Sequence, residues 1–338
     1  MRLRARAPAF PVSKAIDIPG MQHRYNTSRW LTRCLLLVAL GVMFPPLSTV
    51  AVRSPKNPLT ASRPLSSVET VRFRSQLINT TLPYNVILPP GYQASRTTRY
   101  PVLYLLHGWA GHYTDWITRT NVADYAAQYG FVVVMPEGNS SWYVDSAGVT
   151  TDKYETYILR ELIPDVDQRY RTIQARYGRA VAGLSMGGYG AIKYGLKYPG
   201  TFVFAGSMSG AFGVTRYTQN EIGGKDWEPF QKIFGPQDSE IRKANDVFEI
   251  ARGLSAARVA SLPYFYFDCG TEDAGQHFKP NRELSEIFLE KKIPHEYREL
   301  PGTHGWAYWD QQVPEVLRIA AEKMSRPDPR QQKQKRSP

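Results

Sequence analysis

Residues 179–188 read RAVAGLSMGG: a short apolar run, then Gly183-Leu184-Ser185-Met186-Gly187, then the start of a helical pattern. A strand that turns directly into a helix leaves one residue at the corner in a strained backbone, its side chain lifted above the edge of the sheet. Glycines two before and two after that corner have a steric task, because a side chain at either place would meet the crossing backbone. The helix N-terminus that follows favours negative charge developing beside it. The stretch therefore nominates the Ser185 hydroxyl as a nucleophile. The nomination requires alternating strands and helices around it, and a base and an acid further along the chain.

Working outward, short apolar and β-branched runs alternate with helical patterns. Strands are expected near 71–78, 84–88, 101–106, 131–135, 179–184, 202–207, 264–268 and 295–300. Helices are expected at 120–129, 152–169, 186–198, 276–291 and 310–324. This alternation is the signature of βαβ units, so the fold class is α/β with a mostly parallel central sheet and helices on both faces. Several strands are apolar throughout, as strands buried on both faces must be. The long, polar, partly helical stretch 211–250 breaks the rhythm and reads as a modest cap inserted over the site. One catalytic domain over 68–325 accounts for the pattern.

A serine hydroxyl needs a base to take its proton, and an imidazole titrates in the right range. Of six histidines, His23 precedes the domain, and His107 and His112 come before the serine, whereas the histidine of such sites comes last. His277 opens a helix and His295 starts a strand. His304 alone sits in a Gly-rich loop between the final strand and the final helix. The acid that orients it should fall between serine and histidine, which leaves Asp268 and Asp273. Asp268 extends an apolar run and is expected to be committed to backbone contacts, whereas Asp273 lies in the following loop with room to reach. The backbone N–H of Met186, next to the nucleophile, is expected to stabilise an oxyanion.

These motifs carry a resemblance. GLSMGGYGA at 183–191, LLHGWAG at 105–111, CGTED at 269–273 and GTHGW at 302–306 together resemble the putative esterase family of α/β-hydrolases. Its members include feruloyl and acetyl xylan esterases, S-formylglutathione hydrolases and antigen 85 mycolyltransferases. The resemblance implies the α/β-hydrolase fold over roughly 68–322 and favours Asp273 as the acid. It also adds the Trp109 N–H as the second oxyanion donor. The implied activity is ester hydrolysis through an acyl-enzyme on Ser185, with no cofactor and no metal. Alternatives are acyl transfer to a sugar hydroxyl, or thioester hydrolysis. Five of seven tryptophans fall in segments expected to rim the site; Trp116, Trp142 and Trp306 are candidates for binding a carbohydrate-linked or aromatic acyl ester, small or polymeric.

Charge excludes another class. The formal net charge is +12, but residues 1–51 hold seven Lys and Arg against one acid, and 326–338 hold five against one. The chain between is close to neutral, without the basic face that nucleic-acid binding requires. The tail 326–338 reads as a disordered, solvated end. Near the start, LLLVALGVMF at 35–44 follows Arg24, Arg29 and Arg33, as in a secretory signal. Cleavage is expected after Ala51, with Met21 an alternative start and 52–67 a linker. An exported protein follows, secreted or periplasmic, or anchored in the membrane through 31–51 and facing outside if the leader stays. Of two cysteines, Cys34 lies in the leader and Cys269 is left unpaired; no Cys/His spacing suits zinc.

Overall fold

The computed structural model describes residues 66–273 and 276–325; the leader, nearly all of the linker and the basic tail lie outside the described residues. The chain forms β1 (Ser67–Arg74), β2 (Thr81–Leu88), β3 (Val102–Leu106), β4 (Val132–Pro136), β5 (Arg179–Leu184), β6 (Phe204–Met208), β7 (Tyr264–Gly270) and β8 (His295–Leu300). These make one sheet in the order β1-β2-β4-β3-β5-β6-β7-β8. β1 and β2 pair antiparallel, as do β2 and β4, and every later pairing is parallel. This is the α/β-hydrolase arrangement.

Burial explains the composition of the central strands. β3, β4, β5 and β6 are buried at every residue, because helices cover both faces. On one face Tyr104, Val134, Val181 and Phe265 pack with side chains such as Ile192 and Phe288. On the other, Leu103, Leu105, Val133 and Ala182 pack with Trp116, Val313 and Leu317. Register lines up the carboxyl ends: Leu106 pairs with Gly183, Leu184 with Met208, and Gly270 with Leu300. The loops leaving these ends share one edge, which is where open α/β sheets bind ligands.

The largest shifts from the expected boundaries are at the first strand and the last helix. The first strand is Ser67–Arg74, not 71–78, because Ser75 closes a turn through its N–H to the Thr80 carbonyl at 3.0 Å. Ile78 is nonetheless buried, packing from the hairpin rather than from a strand. The last helix starts at Trp306, not 310, and runs to Ser325 with Pro314 inside it. Between β6 and β7 lie a short 3-10 turn and small helices, the longest Gly224–Phe234. Among the described residues, no helix is long and apolar enough to cross a membrane.

Candidate active site

Ser185 sits between β5 and the helix Met186–Lys197 with φ 51° and ψ −115°. A non-glycine residue rarely takes such a backbone unless its surroundings impose it. Here they do: the Ser185 N–H donates to the Met208 carbonyl at 2.9 Å, while its own carbonyl accepts from Tyr189 and Ala211. The flanking glycines are sterically required. A Cβ on Gly183 would lie 2.5 Å from the Gly187 carbonyl carbon, and one on Gly187 would lie 2.5 Å from the Leu106 carbonyl oxygen.

The other two loops are locked by a second pair of glycines. A Cβ on Gly270, at the end of β7, would lie 2.6 Å from the Gly302 carbonyl carbon. Gly302 itself has φ +145°, open to glycine and strained for other residues. The Glu272 N–H donates to the Gly302 carbonyl at 2.9 Å, so the loop bearing Asp273 runs against the loop bearing His304. The result is a hydrogen-bonded line: Ser185 Oγ stands 3.0 Å from His304 Nε2, and His304 Nδ1 stands 2.8 Å from Asp273 Oδ2. With the Ser185 hydroxyl donating to Nε2, the Nδ1 proton faces the carboxylate. Ser185 and Asp273 are buried, while the His304 side chain is 30% exposed. Burial would raise the Asp273 carboxyl, but the His304 hydrogen bond and charge outweigh it and hold it below its ordinary value.

Asp268 takes no part in this line. It is fully buried and accepts the Tyr308 hydroxyl at 2.7 Å, so its side chain is committed to a tyrosine, while its carbonyl accepts from the Ser209 N–H. Burial pushes its carboxyl up to about 7, against the hydrogen bond from Tyr308. Cys269 is buried and free, its thiol pushed up by burial. His295 is occupied by the Ile293 carbonyl and Ser285.

Two rings hold the His304 imidazole: Trp309 edge-on at 5.0 Å and His277 at 4.2 Å between centroids. Burial, with His304 adding to it, lowers His277 to about 4. Asp273, His277 and His304 are, among the described residues, the one group whose donor atoms lie close enough together to hold a metal, within 4.8 Å. The Ser185–His304–Asp273 hydrogen bonds already account for two of them. Sequence reading passed over His277; its spacing four residues after Asp273 was the available signal.

Above Ser185 opens a cavity of about 640 Å³. Gly108, Trp109 and Ala110 form one wall; Trp142, Trp306 and Trp309 line it; and Tyr217, Ile222 and Phe230 come from the segment between β6 and β7. Trp109 is 54% exposed. Gly108 brings its loop against the serine, since a Cβ there would lie 3.6 Å from Ser185 Cβ. Among the described residues the Trp109 N–H makes no hydrogen bond, and Met186, as first residue of its helix, has no intrahelical acceptor. Trp116 is not a wall residue. It is wholly buried beneath the loop, its indole N–H donating to the Leu106 carbonyl at 3.2 Å and its ring packing on Trp306. Its expected role in substrate contact is therefore replaced by support of Trp306.

The chain matches the family model described as "Putative esterase" over residues 75–319. It is 29% identical to an acetyl esterase of Caldicellulosiruptor saccharolyticus, across 62% of this chain and 79% of that one. It is 33% identical to an esterase of Mycobacterium tuberculosis, across 69% of this chain, and spans only 54% of that relative's length. It is 27% identical to a diacylglycerol acyltransferase/mycolyltransferase of Mycobacterium leprae, across 88% of this chain and 94% of that one. The solved structure of a ferulic acid esterase superposes with a TM-score of 0.67 at 27% identity, covering 77% of this chain and 99% of the other.

Proposed function

The chain belongs to the putative esterase family of α/β-hydrolases and is a carboxylic ester hydrolase; from that premise we propose that it works through an acyl-enzyme on Ser185. The single observation that carries this reading is the hydrogen-bonded line from Ser185 Oγ through His304 to Asp273. Ser185 Oγ attacks the ester carbonyl as its proton passes to His304 Nε2. Asp273 holds the Nδ1–H tautomer and stabilises the imidazolium that forms. The N–H groups of Met186 and Trp109 receive the oxyanion; losing one such donor typically costs about 3–4 kcal/mol in the barrier. His304 then returns the proton to the departing alkoxide, and water repeats the sequence in reverse to free the acid. No cofactor or metal enters this scheme.

We assign the catalytic domain to 68–325, with 211–250 as its cap, and read 1–51 as an export leader. The acyl ester is carbohydrate-linked or aromatic. Support comes from the indoles of Trp109, Trp142 and Trp306 around the cavity, and from likeness to an acetyl esterase and a ferulic acid esterase. A second reading, transfer of the acyl group to a sugar hydroxyl, is favoured by likeness to a mycolyltransferase along nearly its whole length. Purified protein assayed on p-nitrophenyl acetate, methyl ferulate and acetylated xylan, with and without a sugar acceptor, tests both. Free acid as the main product in either condition supports hydrolysis; acylated sugar as the main product overturns it in favour of transfer.

A further inference from the structure

Two consecutive aromatic residues, Trp142 (φ 56°) and Tyr143 (φ 52°), take the left-handed backbone. Bulky side chains seldom do so, and the arrangement persists only where neighbours over-determine it. The neighbours are specific. The Tyr143 carbonyl accepts two hydrogen bonds, from Lys193 Nζ at 3.0 Å and from the Tyr194 hydroxyl at 2.9 Å. The Tyr143 N–H donates to Ser141 Oγ, and its hydroxyl donates to the His107 carbonyl at 3.2 Å.

Lys193 lies on the helix that Ser185 opens, and it is fully buried. Its other two acceptors are Glu155 Oε2 at 2.5 Å and Asn245 Oδ1 at 3.2 Å, so three protons meet three acceptors. Packing alone would be served by methionine; an ammonium is taken into an apolar interior at a cost that only its hydrogen bonds offset. Glu155 and Asn245 hold the ammonium in place, and its third bond, beside that of the Tyr194 hydroxyl, fixes the strained turn at the Tyr143 carbonyl. One end of that turn is the cavity wall, where Trp142 packs on Tyr189 and Phe234. Its other end, through the Tyr143 hydroxyl, braces the carbonyl of His107, two residues before the Trp109 N–H.

We propose that Lys193, paired with Glu155, is a positioning residue that fixes the Trp142–Tyr143 turn and thereby sets both the substrate wall and the oxyanion loop. The proposal rests on the reading of Ser185 as nucleophile, and its test is separate from that reading. A residue that only filled the core could be replaced, together with its partner, by apolar residues of like volume without consequence for the site.

The test compares wild type, Lys193→Met/Glu155→Leu, Tyr194→Phe and Tyr143→Phe in the full chain, each by Tm and by kcat and KM on p-nitrophenyl acetate and methyl ferulate. The double variant keeps a Tm close to wild type, yet its KM for methyl ferulate rises about tenfold as the Trp142 wall loosens. Its kcat on the acetate falls about tenfold, as does that of Tyr143→Phe, because the oxyanion loop loses its brace. Tyr194→Phe, which removes one of two donors, shows a smaller KM change in the same direction. A double variant with unaltered kcat and KM on both esters overturns the proposal. Should that variant not fold, unaltered constants in both tyrosine variants overturn it instead. A wild-type chain that turns over neither ester tells against the Ser185 reading rather than against Lys193.

Discussion

Asp268, in β7, and Asp273, in the loop that follows it, stand five residues apart in different surroundings. Asp273 reaches His304 Nδ1 at 2.8 Å, whereas Asp268 is sealed in the core against Tyr308. Ser185→Ala and His304→Ala are expected to lower kcat on the order of 10⁶-fold and Asp273→Asn by about 10⁴-fold, read by steady-state kinetics. Asp268→Asn should stay within about threefold of wild type, since Asn still accepts from Tyr308. Its signature is in stability. A buried carboxyl raised from 3.8 to about 7 keeps a proton in the folded chain that the unfolded chain releases. Folding is therefore progressively penalised as pH climbs from about 4 to about 7 and uniformly above that. His277, lowered to about 4, acts in the opposite sense over much of the same window in both proteins, so the test is the difference: the Tm of Asp268→Asn minus that of wild type should grow as pH climbs from about 4 to about 7, and a constant difference contradicts the assignment. Ser185, Asp273 and His304 were legible because each follows a strand end in a loop with glycine nearby. Lys193 was not, since a lysine in a helical stretch reads as solvated until its burial is seen. Trp116 misled because an indole beside a site has the same sequence appearance whether it lines the wall or supports it.

At the scale of elements, close backbone crossings set the geometry. Gly270→Ala would force its Cβ against the Gly302 carbonyl, prising the Asp273 loop from the His304 loop. We expect a stability loss of about 1–3 kcal/mol by chemical denaturation, with a fall in kcat well beyond that of Asp268→Asn. The segment between β6 and β7 contributes Phe230 to the cavity. Phe230→Ala should raise KM for methyl ferulate several-fold while leaving kcat on p-nitrophenyl acetate within about twofold. The central strands were readable from continuous apolar runs, because burial on both faces leaves no other composition. The edge strand was displaced by four residues, since Leu77 and Ile78 look strand-like but pack from a turn. The helix Asp115–Arg119 was missed: it is one turn long, too short for a period to register.

Across the whole molecule, the site exists because β5, β7 and β8 end at one edge of a single sheet. Residues separated by 119 positions then come within hydrogen-bond reach. Alternating apolar runs made the parallel sheet legible, and the order serine, acid, histidine made the line at its edge legible. What no pattern in the chain could display is depth: which tryptophan faces the cavity, which lysine is buried, which backbone turn is left-handed. Those follow from packing across elements distant in sequence. The most direct measurement is the intact mass and site mapping of the protein after reaction with a fluorophosphonate. A single adduct on Ser185, absent in Ser185→Ala and strongly slowed in His304→Ala, is what the account predicts. An unlabelled wild-type chain, or labelling that survives Ser185→Ala, would contradict it.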